Sequence, residues 1–314
     1  MELRNTPVDD IEFLGHQVYV KRDDLLDVAF SGNKARKFYH FLQQDLSQVD
    51  ILIGHGSAQA NSLYSLSILA KLKQCQLHYY VDHLPQYLID NPQGNYRAAL
   101  AQGAKVIVAD SNSLSVIEHI QQQVLPALKT QGQSVVFIPE GGRCQYAETG
   151  LKILANEIMA WAKSNSYADI RVVLPSGTGT TALFLQKHLP FEVQTCACVG
   201  GDDYLQQQFF ELCANELLHP TIISADKKYH FGKLYLPFYH IWSELKQTTN
   251  IEFDLLYDPL AWLCLQREFI EDNANAATQL ESADKRPILY IHQGGLLGNE
   301  TMIPRYLRKL AFVK

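Results

Sequence analysis

The sequence predicts an α/β fold, in which a mostly parallel sheet is covered by helices. After residue 48, short apolar runs alternate with longer segments whose apolar residues recur at helical spacing. Parallel strands need crossover helices between them, and they are continuous apolar runs because both of their faces are buried. The chain has 314 residues, of which 47% are hydrophobic. That is enough apolar surface for one large domain or two medium domains.

The elements follow one another in a regular order. The helix predicted at 58–72 has Leu63, Leu66, Leu69 and Leu72 at helical spacing, so these residues form one apolar stripe. The segment 229–242 is crowded with aromatic residues and predicts no element. The predicted strands are 18–20, 50–54, 77–81, 105–109, 134–138, 170–174, 193–199 and 288–292. The predicted helices are 58–72, 95–102, 114–130, 146–163 and 180–188.

Composition and charge argue against several classes of protein. The net charge is −6 and no basic run exceeds a few residues, which argues against a nucleic-acid-binding protein. The first ten residues have no apolar core, so we expect no signal peptide. No apolar run approaches the roughly 20 residues of a membrane helix. We therefore expect a soluble cytoplasmic protein.

The cysteines predict neither disulfides nor a metal site. The chain has six of them, which in a chain of this length is not the framework typical of small secreted domains. Cys196 and Cys198 form the one close pair and alternate on a predicted strand, without a second pair to complete a zinc site. We expect buried free thiols and no metal.

The segment 20–38 (VKRDDLLDVAFSGNKARKF) carries the strongest chemical pattern in the chain. After a strand and a charged run, it turns at 31–33 and enters an amphipathic helix at Lys34. The nearby cations Arg36 and Lys37 disfavour protonation of Lys34, which leaves its amine nucleophilic toward a carbonyl. The start of a helix can also hold a phosphate on its free N–H groups. An amine beside a phosphate site is what pyridoxal 5′-phosphate (PLP) requires; the alternative is an ordinary cationic surface helix.

Two further loops combine glycines with polar residues between a strand and a helix. The loop 54–61 (GHGSAQAN) allows close backbone approach and presents helix N–H groups to an anion such as a substrate carboxylate. The loop 175–181 (PSGTGTT) places glycines and hydroxyls at a helix start, where they form a nest for a phosphate. It is not a P-loop, because no Gly-Lys-Ser/Thr follows. Ordinary turn and cap chemistry is the alternative for both loops.

Two glycine pairs also follow predicted strands, in the segments 139–142 (PEGG) and 292–295 (HQGG). The carboxyl ends of strands are where α/β proteins bind ligands. His292 is a lone histidine at a strand end and has no visible partner in the sequence. A structural role for it is therefore favoured over a role as general base.

These motifs, in this order, resemble those of the PLP enzymes that include 1-aminocyclopropane-1-carboxylate (ACC) deaminase and D-cysteine desulfhydrase. KRDD, GNK and RK between 21 and 37 match the cofactor-lysine signature, and the later motifs extend the match over nearly the whole chain. The resemblance implies the tryptophan-synthase-β-like fold (PLP fold type II), with two open, twisted, mostly parallel sheets flanked by helices and PLP between them. It implies a larger PLP-binding domain of residues 1–47 and 156–314, a smaller inserted α/β domain of residues 48–155, and a homodimer.

The same resemblance assigns the cofactor side of the site. Lys34 would hold PLP as a Schiff base, Lys37 would lie near the phosphate, and Asn61 would face the ring oxygen. The phosphate would lie on the loop 175–181. The residues implied there are Ser176, Gly177, Thr178, Gly179 and Thr180.

The substrate side departs from the family pattern. Ala60 replaces a serine that acts on the substrate, and Leu234 and Ala261 replace two tyrosines, so each change removes a hydroxyl. Trp262 occupies the position of the polar residue that faces the pyridine nitrogen. The residues expected to contact the substrate are Ser57, Gln59, Tyr235 and Tyr257.

The residues and the resemblance together predict a PLP-dependent deaminase or lyase that acts on a small amino acid. The amino acid would displace Lys34 from PLP, a bond at Cα or Cβ would break, and ammonia and a keto acid would be released. Whether the substrate is a D-amino acid, ACC or neither stays open, because the missing hydroxyls are the groups that would determine substrate specificity. Two alternatives also stay open: a PLP-binding homologue with little or no turnover, and a phosphate-binding α/β module without PLP.

Overall fold

Two sheets form the frame of the protein. The computed structural model describes residues 2–27, 29–30, 32–110, 114–277 and 284–312. Within these ranges, the strands are β1 (Val8–Phe13), β2 (His16–Arg22), β3 (Ile51–His55), β4 (Gln76–Val81), β5 (Lys105–Val108), β6 (Val135–Phe137), β7 (Arg171–Ser176), β8 (Glu192–Ala197), β9 (Thr221–Ile222) and β10 (Ile288–His292). The helices are α1 (Gly32–Lys37), α2 (Tyr39–Gln43), α3 (Asn61–Leu72), α4 (Gln86–Asp90), α5 (Gly94–Ala101), α6 (Val116–His119), α7 (Leu125–Thr130), α8 (Glu148–Ser164), α9 (Thr180–His188), α10 (Asp202–Leu212), α11 (Leu236–Thr249), α12 (Asp258–Ala277) and α13 (Asn299–Ala311).

The strand order confirms the predicted α/β class. One sheet has six strands in the order β1-β2-β10-β7-β8-β9, and the other has four in the order β5-β4-β3-β6. The β1–β2 hairpin is antiparallel, and the other neighbouring strands of both sheets run parallel. The four-stranded sheet is built from residues 51–137, inside the predicted inserted domain. The domain boundaries themselves stay a prediction.

The strand β10 lies at the centre of the six-stranded sheet and is buried along its whole length. Its side chains alternate between two cores, as the pleat of a strand requires. Leu289 and Ile291 pack with the apolar stripe of α8, while Ile288 and Tyr290 pack with α11 and α12 on the opposite face. Each such aliphatic side chain contributes about 1.5–3 kcal/mol by leaving water. Helices on both faces therefore explain the continuous apolar run in this strand.

Several elements were not predicted from sequence. They are β1, α4, α10, β9, α11, α12 and α13; α4 has five residues and β9 two, whereas α12 has 20. The aromatic segment 229–242 contains the start of α11, which has Pro237 in its first turn. The helix predicted at 58–72 begins later, at Asn61, because the N–H of Ala60 donates to the backbone oxygen of Ser57 in a turn. The predicted turn at 31–33 includes residue 31, which lies outside the described residues.

All six cysteines lie in the described ranges and are free thiols, but Cys75, Cys144 and Cys213 are only partly buried, unlike the buried thiols that were expected. Cys196, Cys198 and Cys264 are buried. Across the described residues, no helix combines the length and hydropathy needed to cross a bilayer. In the same ranges, no three or more His, Cys, Asp or Glu side chains are grouped so that they could hold a metal ion.

Candidate active site

A cleft between the two sheets brings most of the predicted site residues together. It has a volume of about 380 Å³ and is lined by the loops that follow β3, β6, β7, β8 and β10. These loops stand at the carboxyl edges of parallel strands, where α/β proteins bind ligands. The predicted residues that line the cleft are Lys34, Lys37, Ser57, Gln59, Asn61, Ser176, Gly177, Thr178, Gly179, Thr180 and Tyr257.

Lys34 is positioned in the cleft by hydrogen bonds between α1 and the loop after β10. The N–H of Asn33 donates to the backbone oxygen of Gln293 at 3.1 Å, and the Asn33 amide donates to the Gln293 side chain at 2.8 Å. Gln293 in turn donates to the backbone oxygen of Pro175 at 2.7 Å. Gly32 permits this approach, since its φ is +68° and a Cβ there would lie 1.8 Å from the Gln293 oxygen. The Lys34 amine donates to the Asn33 side chain at 3.1 Å.

Burial makes the Lys34 amine easier to deprotonate. Loss of solvent lowers the pKa of Lys34 from 10.5 to about 8, while the carboxylates of Asp254 and Glu140 pull in the opposite direction. The lowered pKa agrees with the sequence-based expectation of a nucleophilic amine. The cause expected from sequence, repulsion by neighbouring cations, is wrong, because burial is the effect that lowers it.

Arg36 does not act on Lys34 as predicted, because its guanidinium is used in a buried ion cluster. It pairs with Asp23 at 2.8 Å and with Glu157 at 2.7 Å. Lys21 joins the same cluster, with its amine 2.8 Å from Glu157. The cluster fastens α1 to α8 beneath the cleft. Removing one partner from a buried pair costs about 3–5 kcal/mol, because the remaining charge is left without compensation.

Lys37 lies on the same helix as Lys34 and lines the same cleft. Its amine donates to the backbone oxygen of Gly141 at 3.1 Å. Burial, and then the charge of Lys34, hold the pKa of Lys37 well below its usual range. Two buried amines with few partners favour a bound anion, since an anion between them would stabilise their charged forms.

The loop between β7 and α9 forms one wall of the cleft and has the features of an anion site. Gly179 precedes the helix with φ +71°, and the hydroxyls of Thr178 and Thr180 lie 3.0 Å apart. The first N–H groups of α9 have no acceptor within the helix. The hydroxyl of Thr181 is buried and has no hydrogen-bond partner in the described part of the chain. Free N–H groups and an unpartnered hydroxyl fit a phosphate.

Ser176 supports this loop from behind. Its hydroxyl accepts a hydrogen bond from the Thr195 hydroxyl at 2.7 Å, and both residues are buried. Together, an amine for a carbonyl and an anion site in one cleft fit a phosphorylated aldehyde such as PLP. The residues that would hold it are the predicted ones: Lys34, Lys37, Asn61 and the loop 176–180.

Asn61 begins α3 and is oriented by a residue that the sequence did not indicate. The Asn95 amide donates to the Asn61 side-chain oxygen at 2.8 Å and to the backbone oxygen of Gln59 at 2.9 Å. Asn95 is 3% exposed, so these bonds form away from water. The nitrogen end of Asn61 then lies against Gly295, 2.4 Å from where a Cβ on that glycine would be. Nothing in the sequence marks Asn95 as a site residue; it is the first residue of a predicted helix.

Of the four residues predicted to contact the substrate, three line the cleft and one does not. Ser57, Gln59 and Tyr257 line the cleft, with the Gln59 amide donating to the Tyr87 hydroxyl at 2.7 Å. Tyr235 does not line it. The structure places Tyr235 just before α11, where its hydroxyl accepts the N–H of His230 at 3.0 Å. Its ring packs in an aromatic group with Tyr229 and Phe238, and this packing turns it away from the predicted site.

Of the residues that depart from the family pattern, one lines the cleft and the others lie in the apolar core. Ala60 lines the cleft at the start of α3. Ala261 and Trp262 are completely buried in α12, and the Trp262 ring packs against Phe253 and Tyr290. Leu234 packs against the same apolar core. Trp262 and Ala261 therefore lie outside the cleft.

The contacts of His292 fit a structural role, in agreement with the role favoured from sequence. It is fully buried, and its Nε2 lies 2.8 Å from the backbone oxygen of Glu252. Its ring stacks on Phe253 at 4.7 Å between centroids. Burial lowers the pKa of His292, which keeps the ring neutral.

Sequence reasoning missed three carboxylates in the cleft, Asp254, Asp258 and Glu140. Burial raises the pKa of Asp254 to about 6, although hydrogen bonds from the N–H groups of Tyr257 and Leu256 and the charge of Lys34 oppose the rise. Burial also raises the pKa of Glu140. The position of Glu140, after a predicted strand and before a Gly-Gly pair, could have marked it as a site residue. No sequence pattern marks Asp254, because it lies in an irregular segment before α12.

Comparisons with known proteins support the resemblance read from the motifs. The chain is 27% identical to the D-cysteine desulfhydrase of Serratia proteamaculans, covering 92% of this chain and 91% of that protein. It is 23% identical to a provisionally named ACC deaminase of Thermotoga maritima, covering 95% and 96%. A crystal structure of an ACC deaminase homologue superposes with a TM-score of 0.78 at 22% identity, covering 97% and 94%. No protein-family profile matches the chain. The predicted fold is confirmed.

Proposed function

This chain is a relative of the D-cysteine desulfhydrases and ACC deaminases, and on that premise we propose that it is a PLP-dependent deaminase or lyase acting on a small amino acid. The observation that carries the proposal is the position of the Lys34 amine. Burial lowers the pKa of that amine, which shares one cleft with the anion site at the start of α9. The products would be ammonia and a keto acid.

The residues of the cleft divide the chemistry among them. When bound, PLP supplies the electron sink for breaking bonds at the substrate Cα. Lys37 and the free N–H groups of α9 would bind the phosphate. Asn61 would orient the ring by contacting the ring oxygen. The Lys34 amine would take the Cα proton, because burial lowers its pKa to about 8 and so makes the amine easier to deprotonate.

The substrate carboxylate is assigned to the start of α3. Ser57, Gln59 and the first N–H groups of that helix line the cleft there, where they favour an anion. Tyr257 is the remaining candidate for a hydroxyl beside the substrate. Its ring lies against the phosphate loop, 3.2 Å from where a Cβ on Gly177 would be.

The test is an absorption spectrum of the purified protein during titration with PLP, followed by an assay of keto acid release. A Schiff base at Lys34 gives a visible band, and turnover of D-cysteine or β-chloroalanine gives pyruvate. A spectrum that is only the sum of free PLP and protein would overturn the proposal. It would favour a phosphate-binding module without PLP.

A second candidate function is a PLP-binding homologue with little or no turnover. The missing hydroxyl at Ala60, the altered family position that lines the cleft, favours it, because the residues assigned to PLP are present while the substrate side is altered. A Schiff-base band without keto acid release from any amino acid tested would support this candidate over the first.

We also propose that the protein is a homodimer in the cytoplasm, on the ground of the family resemblance. Light scattering after gel filtration should give twice the mass of one chain. A monomer at micromolar concentration would contradict the proposal. Fractionation of cells that express the chain should leave it in the cytoplasmic fraction.

A further inference from the structure

The cleft contains a cation that the proposed function leaves without a partner. The cationic side chains among the described residues that line the cleft are Lys34, Lys37 and Arg305, and the first two are assigned to PLP. Arg305 lies on α13 and is half-buried. Within the described ranges it forms no ion pair with a carboxylate. A partly buried cation without a counter-ion favours a bound anion.

The hydrogen bonds of Arg305 use only a part of its guanidinium. The Nη2 atom donates to the backbone oxygen of Gly232 at 3.1 Å, and Nη1 lies 3.1 Å from the thioether sulfur of Met302. Thioether sulfur is a weak acceptor, so most of the guanidinium N–H groups have no strong acceptor in the described part of the chain. Gly232 and Met302 line the cleft together with Arg305, which places the guanidinium at the cleft wall.

A purely structural role for Arg305 would be to hold the loop 232–234 on α13. Lys309, one turn later on the same helix, also holds this loop, because its amine donates to the backbone oxygen of Leu234 at 2.6 Å. Lys309 does not line the cleft. The two cations therefore share the contact with the loop, and Arg305 differs from Lys309 in that it faces the cleft.

The carboxylates that line the cleft do not compensate the charge of Arg305. One oxygen of Asp258 accepts the N–H of Asp254 at 3.0 Å. The charges of Asp254 and Glu140 act on Lys34, whose pKa they raise against the effect of burial. None of these three acids pairs with Arg305 in the described structure.

Arg305 is about one helical turn from the site proposed for the substrate carboxylate. A Cβ on Gly94, at the start of α5, would lie 3.0 Å from the methyl group of Thr301 on α13. The amide of Asn95, the next residue, donates to the backbone oxygen of Gln59, beside the start of α3. Thr301 and Arg305 share one face of α13 and are about 6 Å apart along its axis. The cleft therefore has two anion sites at a spacing that suits one small dianionic amino acid.

We propose that Arg305 makes the enzyme selective for amino acids whose side chain ends in an anion, namely a carboxylate, sulfate or phosphate. The inference rests on the proposed function, because the amino group of such a substrate must reach PLP at Lys34. A planar guanidinium pairs with the oxygens of these anions through two parallel hydrogen bonds. Neutral side chains such as that of β-chloroalanine gain nothing from this contact.

Serine O-sulfate is a substrate of this class whose anion is also the leaving group. The Lys34 amine takes the Cα proton, the bond between Cβ and the ester oxygen breaks, and sulfate departs with the electron pair next to Arg305. The 2-aminoacrylate that is released takes up one water and gives pyruvate and ammonia. A cation beside the departing oxyanion stabilises the charge that develops on it.

The first test compares kcat/KM for serine O-sulfate and β-chloroalanine, both enantiomers of each, on PLP-saturated protein. Arg305→Gln should lower the value for serine O-sulfate about 10- to 100-fold more than the value for β-chloroalanine, the usual effect of a hydrogen bond to a charged group. Arg305→Lys keeps the charge and should retain a part of the preference. Lys309→Gln is the matched control, because it removes the other contact to the loop, and it should keep the wild-type ratio. An equal loss for both substrates in Arg305→Gln would mean that Arg305 only holds the loop, and would overturn the inference.

The second test measures binding without turnover. Calorimetry on the PLP-loaded protein compares glutarate with pentanoate, in which a methyl group replaces one carboxylate. Glutarate should bind about tenfold or more tightly, and Arg305→Gln should remove the difference. If PLP gives no Schiff-base band, the proposed function fails and the inference fails with it. Equal affinities for the two acids in a protein that shows the band would overturn the inference alone.

Discussion

The N–H of Asn33 donates to the backbone oxygen of Gln293 at 3.1 Å, although 260 positions separate the two residues in the chain. Asn33 precedes the predicted cofactor lysine, and Gln293 follows the central strand of the larger sheet. The side chains of the two residues bond as well, at 2.8 Å. The position of Lys34 therefore depends on a contact between two segments that are far apart in the sequence.

Gly32→Ala should break this contact. The new Cβ would lie 1.8 Å from the Gln293 oxygen, and the residue would keep a φ of +68°. Left-handed backbone costs an alanine about 1–2 kcal/mol, and overpacking adds about 1–3 kcal/mol. Gly15→Ala is the control, because Gly15 has φ +79° but no atom within 4 Å of its Cβ position. Urea unfolding should show the larger loss of unfolding free energy for Gly32→Ala. Equal losses would mean that the contact between α1 and Gln293 does not stabilise the fold.

Lys34→Ala should abolish the Schiff base with PLP, because Lys34 is the amine assigned to the carbonyl. The check is borohydride reduction followed by peptide mapping. Lys37→Ala is the companion variant and should retain the visible band with weaker PLP affinity, since Lys37 is assigned to the phosphate. A reduced label on Lys37 or Lys21 would assign the cofactor to another residue.

The reaction of the cofactor-free protein with PLP should depend on pH through Lys34. The pKa of about 8 means that the amine is mostly protonated below pH 8, so the rate constant should fall about tenfold for each further pH unit. Asp254→Asn should move the midpoint to lower pH, because the Asp254 charge raises the pKa of Lys34. Stopped-flow absorbance at a series of pH values measures both midpoints. A midpoint near the ordinary value of 10.5 would contradict the burial argument.

The two glycines of the phosphate loop should respond differently to valine. Gly177→Val should weaken PLP affinity with little loss of stability, since the nearest atom is the Tyr257 ring at 3.2 Å. Gly179→Val should reduce stability by more than about 2 kcal/mol, because its φ is +71° and its Cβ would lie 2.5 Å from the Phe209 ring. PLP titration and thermal unfolding separate the two effects. Unchanged PLP affinity in Gly177→Val would place the phosphate elsewhere.

Turnover of ACC should be slower than turnover of β-chloroalanine or D-cysteine. Ring opening calls for an acid or nucleophile at the ring carbons, and Ala60, the altered family position that lines the cleft, supplies none. Such help is typically worth about 10² to 10⁴ in rate. Simple elimination needs less, because Lys34 removes the Cα proton and a good leaving group departs unaided.

Keto acid release from the three substrates, measured side by side on PLP-saturated protein, decides this prediction. Ala60→Ser restores one hydroxyl at the start of α3, a position that tolerates serine as a cap. This variant should raise ACC turnover relative to β-chloroalanine. ACC turnover equal to that of the other substrates in the unmodified protein would show that the role given to this position is wrong.

The residues on the cofactor side of the cleft could be predicted because their motifs are local. A lysine after a Gly-Asn turn, and glycines and hydroxyls between a strand and a helix, carry their meaning in a few adjacent residues. The structure places Lys34, Lys37, Asn61 and the loop 176–180 in one cleft, as the order of motifs implied. The alternation of apolar runs and helical stripes likewise predicted the α/β class, because buried parallel strands need it.

The tertiary structure alone decided which side chains join that cleft and how they ionise. Tyr235, adjacent to a family position, packs into an aromatic group, while Asp254, with no local signal, enters the cleft behind Lys34. Arg36 lies beside Lys34 in sequence but pairs with Glu157, 121 positions away. Sequence determines the type and local order of each group. Burial and long-range pairing depend on neighbours that only the folded chain brings together, and they set the pKa of Lys34.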